Sequence, residues 1–133
     1  MTPDALVRAF YADIWEAGRL DRIAALMAVD VTFRGSLGPT LRGRDAFAGY
    51  VRQVRGALGS YRCEILTLLE SQSGAAARMR FSGLHTGGPL LGVQPTGRRV
   101  CWEGAAFFDC AGGLIRELWV LGDLDGLREQ LAA

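Results

Sequence analysis

Two side chains in this sequence have the chemical type and the placement for proton transfer. His85, the only histidine, closes a β-rich run in which Met79, Phe81, Gly83 and His85 share one parity, while Arg78, Arg80 and Ser82 take the other. An imidazole among hydrophobes is either a core group hydrogen-bonded to backbone or a partner in acid-base chemistry. Asp123 ends the last β-rich run, where parity groups it with Trp119 and Leu121, and with Ile115 and Glu117 if no bulge intervenes. Standing just before Leu124, Asp123 is also well placed to cap a final helix, and Asp125 competes for that cap. If Asp125 takes it, Asp123 is left among Trp and Leu side chains, where desolvation strengthens a carboxylate as a general base.

Other residues could hold a substrate. Arg34 ends the first strand and could reach a pocket mouth to grip a carbonyl or carboxylate, or stay solvated. Trp102 and Trp119 could stack on a flat substrate or belong to core or interface, and Phe33 and Phe81 would add apolar wall. Glu103 and Glu117 have arginines to pair with across strands. The stretches Gly87-Gly88 and Gly92 to Gly97 lack the strand, loop and helix setting of a phosphate cradle. A lone histidine, with Cys63, Cys101 and Cys110 not at ligand-like spacing, argues against a metal site and against a disulfide framework. No cofactor is expected.

These side chains need a scaffold. Thr2, Pro3 and Asp4 read as a helix start: a capping hydroxyl, a preset first turn and an acid at the positive end. Leu6, Phe10 and Ile14, with Val7 and Tyr11, then form one apolar stripe up to Gly18. A short helix over Asp21 to Met27 and a strand over Val31 to Arg34 come next, then a loop at Gly35 to Pro39. From Asp45 to about Leu58 the pattern is helical again, with Phe47, Tyr50, Val51 and Val54 on one side. After Gly59 come four β-rich runs, Tyr61 to Gln72, Ala75 to Thr86, Arg99 to Cys110 and Leu114 to about Gly122, and a closing helix from Leu124 to Leu131. The short turns at Ser73-Gly74 and Gly112-Gly113 make antiparallel neighbours. Runs of this length imply a strongly bent sheet. Helices first and a curved antiparallel sheet last is an α+β arrangement with helices over one sheet face. Because Leu118 and Val120 alternate with Trp119 and Leu121, the last strand is apolar on both sides, and its second face suits a homodimer interface.

At 133 residues, half of them apolar and with a formal charge of +1, the chain has one domain's length, 1–133, and can bury roughly 70% of its unfolded surface. Near-neutral charge gives no general attraction to nucleic acid or anionic membranes. No apolar run is long enough to span a bilayer, and the first residues carry acids and helix periodicity where a signal peptide would be basic and then plainly apolar. A cytoplasmic location is expected.

The C-terminal half resembles the SnoaL-like polyketide cyclases of the superfamily named for nuclear transport factor two. The resemblance rests on HTGGPLLGVQPTGRRV at 85 to 100 and GGLIRELWVLGDLDGLREQL at 112 to 131, with FRGSLG from Phe33 compatible. It implies a cone-shaped α+β barrel, usually a homodimer, with an apolar pocket between sheet and helices for a small hydrophobic substrate. It further implies that Asp123 removes an acidic proton from a polyketide ester, that His85 assists, and that the enolate closes a ring by intramolecular aldol chemistry without metal or cofactor. A carboxylate base contributes about a hundred- to ten-thousand-fold, and a dry pocket favours ring closure. Two other readings share the frame: a non-catalytic binder or dimeric interaction module, in which acid and histidine simply pair, and an isomerase of ketones or hydrolase of epoxides.

Overall fold

A computed structural model describes residues 1–133. The chain opens on α1 (Pro3–Ala9), where the Thr2 hydroxyl accepts from the Ala5 amide at 3.2 Å, as its sequence signature requires. The helix then widens into a π-helical segment, Phe10–Glu16, whose last turn is closed by the Ala17 amide donating to the carbonyl of Ala12, five residues back, at 3.0 Å. The wider turn puts Phe10, Tyr11, Ile14 and Trp15 together on the buried side. The second helical stretch is shorter than its pattern predicts: a 3₁₀ turn at Leu20–Arg22 and a single turn, α2 (Ile23–Leu26). Met27 already belongs to β1 (Met27–Arg34), since Arg44 closes the helix by donating to the Met27 and Ala24 carbonyls. A short edge strand that the turn-rich sequence conceals, β2 (Thr40–Arg42), precedes α3 (Arg44–Ala57).

Three long strands and one shorter strand complete the sheet: β3 (Leu58–Glu70), β4 (Gly74–His85), β5 (Arg99–Ala111) and β6 (Leu114–Gly122). The terminal helix is α4 (Leu124–Ala132). Strand order is β2-β1-β6-β5-β4-β3. The sheet is mixed instead of wholly antiparallel: β1 runs parallel to β6, because the polypeptide that separates them crosses the whole structure and returns. Register shifts in β3, one between Gly59 and Arg62 and another between Ile65 and Thr67, bend the sheet over the helices. A further irregularity at Asp109 and Cys110, opposite Glu117 and Ile115, leaves Arg116 and Glu117 both exposed, so Ile115 points inward with Leu118 and Val120.

Helices and inner sheet face share one cluster of 33 buried hydrophobic residues. Two inward rows of it are in register across the sheet: Phe33 opposite Leu118, and Phe81 between Cys63 and Trp102. No helix is long and apolar enough to cross a membrane. The three cysteines are free, Cys63 and Cys110 buried.

Candidate active site

Between the sheet and the helices lies a narrow pocket of about 20 Å³ with thirteen lining residues, eleven of them hydrophobic. Each wall comes from a different element. The π-helical segment contributes Phe10, Tyr11 and Trp15, β1 and the turn after it Phe33 and Gly35 to Leu37, and α3 Tyr50 and Val54. Tyr61, Phe81, Leu118 and Val120 come from the sheet.

Polar ties at the rim hold these walls in place. The Glu16 carboxylate accepts from the Cys63 amide at 2.9 Å, which pins the π-helical segment to β3. Arg55 donates to the carbonyls of Trp15 and Glu16, so the frayed C-terminal end of that segment is satisfied from α3. Inside, the rings contact one another closely: Phe33 and Tyr50 have centroids 5.1 Å apart, Trp15 and Tyr61 5.6 Å, Trp15 and Tyr50 5.8 Å.

Of the residues singled out by sequence, Phe33 and Phe81 line this pocket. Trp102 is buried next to it, with its ring 5.5 Å from Phe81 and its indole N–H directed at the Ser36 hydroxyl at 3.4 Å. Arg34 and Trp119 lie on the opposite face of the sheet, where the guanidinium sits 5.4 Å from the indole centroid and donates to the Val120 carbonyl at 2.6 Å. Strand alternation sends Phe33 in and Arg34 out, and likewise Leu118 and Val120 in and Trp119 and Leu121 out.

The same alternation corrects the expectation for Asp123. Its parity with Trp119 and Leu121 is the outer parity, the residue is exposed, and its carboxylate caps α4 by accepting from the Gly126 amide at 3.0 Å. Asp125 does not take the cap.

His85 is corrected as well. It is fully buried, as its parity predicts, but outside the pocket lining. Its Nδ1 accepts from the Thr96 amide at 3.2 Å and its Nε2 donates to the Gly88 carbonyl at 2.9 Å, which assigns the neutral Nε2–H tautomer. The imidazole is the clasp of the loop between β4 and β5. His85 and Asp123 neither bond to each other nor meet in a common cavity.

What the pocket does contain is phenol. Tyr11, Tyr50 and Tyr61, all the tyrosines of the chain, line it. All three are held above the ordinary phenol range by burial, Tyr50 to about 12 despite the opposing pull of the Leu37 amide and the Arg34 charge. Tyr11 and Tyr61 are raised further by the neighbouring Cys63 thiol, itself pushed up by burial. These hydroxyls therefore act as hydrogen-bond donors and not as bases. The Tyr50 oxygen accepts from the Leu37 amide at 3.2 Å, leaving its own proton to give. The Tyr11 hydroxyl is buried without any partner. Both lie on the apolar helix stripes read from sequence. Their tyrosine oxygens, on faces otherwise apolar, were the signal for a polar site, and the periodicity treats them as core.

The fold has many relatives among solved structures. A SnoaL-like polyketide cyclase homologue from Jannaschia sp. CCS1 superposes with a TM-score of 0.88 at 18% identity, over 98% of this chain and 92% of that one. TsrD from Streptomyces laurentii gives 0.85 at 26% identity, over 98% and 94%. A protein from Catenulispora acidiphila with a ketosteroid isomerase-like fold, in complex with trimethylamine, gives 0.80 at 18% identity, over 99% and 95%. No functionally curated relative matches the chain. Residues 5–131 match the SnoaL-like polyketide cyclase family, and the chain belongs to it.

Proposed function

We propose that this family member binds a compact, largely apolar polyketide-like molecule in the tyrosine pocket and holds its carbonyl or phenolic oxygens with phenol donors, without a carboxylate base. The observation that carries this reading is the Tyr11 hydroxyl, buried and unpartnered among apolar walls. A buried orphan donor costs about 1–3 kcal/mol, which a ligand oxygen would recover. The enclosed space is small, about 20 Å³, so a ligand must part the aromatic walls to enter. Abstraction of a proton from carbon needs an acceptor, and besides the Trp15 indole the lining's polar side chains are the Ser36 hydroxyl and three phenols held protonated, with no carboxylate or imidazole. Isomerisation of a ketone and opening of an epoxide would need such a base too.

A second reading, ring closure, is favoured by the free protons of Tyr11 and Tyr50. Donors aimed at developing negative charge stabilise an enolate, so a substrate already enolised at neutral pH could be folded and closed by enclosure alone. In either reading Asp123 and His85 act on the scaffold.

Calorimetric titration with 5-methylresorcinol, a small phenolic ring, tests the proposal. Binding that weakens about tenfold in Tyr11→Phe, the size of one hydrogen bond, is expected, with the free variant at least as stable as the parent. Equal binding by Tyr11→Phe, or loss of binding in Asp123→Asn, would overturn it.

A further inference from the structure

A second hollow lies against the first. It has about 120 Å³ of space between α3 and the loop joining β4 to β5, and shares Leu37, Tyr50 and Val54 with the inner pocket. Those three side chains are a partition, with a chamber on either side.

Partition and outer wall are built differently. The outer wall, Pro89 to Leu91, is tied down at several points. Leu90 and Val93 exchange two backbone hydrogen bonds of 2.9 Å, His85 holds Gly88 and Thr96, and the Gly87 amide donates to the Ala57 carbonyl at the end of α3. Gly87 is a glycine because a Cβ there would run into the Gly56 carbonyl. On the partition, by contrast, the turn after β1 is hydrogen-bonded to Tyr50 through one contact, Leu37 amide to phenol oxygen. Gly35 and Gly38 lie directly on the Tyr50 ring, where a Cβ at Gly38 would be 3.1 Å from Cε1. That turn can therefore slide over a flat ring surface once this hydrogen bond and the one from the Trp102 indole to the Ser36 hydroxyl are released.

We infer that the two chambers form one bipartite site for an elongated molecule: an oxygen-bearing ring in the inner pocket and an unbranched apolar tail passing between Leu37 and Tyr50 into the outer chamber. The chemical class is a phenolic or enolised ring with an alkyl or acyl chain. The outer chamber fits a tail and not a second polar ring, because six of its ten lining residues are hydrophobic and none is charged. This inference rests on the reading of the inner pocket as a ring site.

The test is a homologous series of 5-alkylresorcinols, from methyl through pentyl to heptyl, titrated against the parent and Gln53→Trp. Gln53 is an exposed helix residue at the outer chamber, and an indole there would occupy the tail's space without entering the core. Affinity should rise about fourfold per methylene as the tail fills the chamber, the fold-change for burying one CH₂, and Gln53→Trp should flatten that rise. If the methyl compound binds but chain length has no effect, the bipartite site is wrong and the ring site stands. Chain-length dependence that Gln53→Trp leaves intact would send the tail elsewhere and also overturn it. Binding of no member to either protein would remove both readings.

Discussion

The Asp123 carboxylate accepts a hydrogen bond from the Gly126 amide at 3.0 Å, and Gly126 has no side chain at a position where a Cβ would lie 2.5 Å from Asp123 Oδ2. The pair is a matched N-cap: the acid turns back over the first turn of α4 because position 126 leaves it room. Asparagine can make the same bond and alanine cannot. Asp123→Ala should cost about 1 kcal/mol, a fall in Tm of about 3–5 °C for a domain this size, and Asp123→Asn much less. Thermal melts of the two variants check this, and a cap-independent melt for Asp123→Ala would contradict it.

His85 closes the loop between β4 and β5 from inside the core, so its removal orphans two backbone groups and opens a void. His85→Ala should lose about 3 kcal/mol in urea unfolding, the combined size of a buried cavity and unsatisfied partners. The Thr96 amide, which donates to Nδ1, should lose its hydrogen-exchange protection at the same time. A protected Thr96 amide in His85→Ala would mean the clasp does not hold the loop.

The three tyrosines give the fold an alkaline limit. Each has its phenol pKa raised by burial in the folded chain, so the folded state binds protons that the unfolded chain releases near pH 10. This contribution is fully present below pH 10 and declines as pH rises through the folded value, about 12 for Tyr50. Ultraviolet titration should show no phenolate near pH 10, and ionisation should coincide with loss of near-ultraviolet circular dichroism. A tyrosine titrating reversibly near 10 in the folded protein would refute the closed pocket.

On the outer sheet face Phe107, Trp119 and Leu121 are 51%, 41% and 51% exposed, and the Phe107 and Trp119 rings touch at 5.8 Å. We propose that this patch pairs with itself across a two-fold axis, the arrangement in which one apolar patch serves both partners. Phe107→Arg with Leu121→Arg should reduce the mass in sedimentation equilibrium to that of one chain. A parent protein that already sediments as a monomer at high concentration would exclude the dimer.

Much of the scaffold was legible along the chain. The cap at Thr2, the stripes of the first helix and α3, the four long runs and the α+β order come from periodicities of two and three to four, which each segment carries by itself. Strand alternation also pointed His85 inward, and Asp123's competition for a helix cap was readable from its place before Leu124. The parallel pairing of β1 with β6 and the π-helical turn were not legible, because they depend on a partner distant in sequence or on packing, and the edge strand β2 was not, because three residues in a turn-rich stretch carry no period. The site obeyed the same divide. Alternation says which residues share a face but not whether that face is core or solvent. A bulge at Arg116 and Glu117 reversed Ile115, the outer parity of Trp119 and Leu121 carried Asp123 outside, and the packing of helices on the sheet put three phenols within. The sequence alone determined the family and which residues travel together. Only the tertiary structure decided which groups face the hollow, because an inner face exists only once helices and sheet have closed on each other.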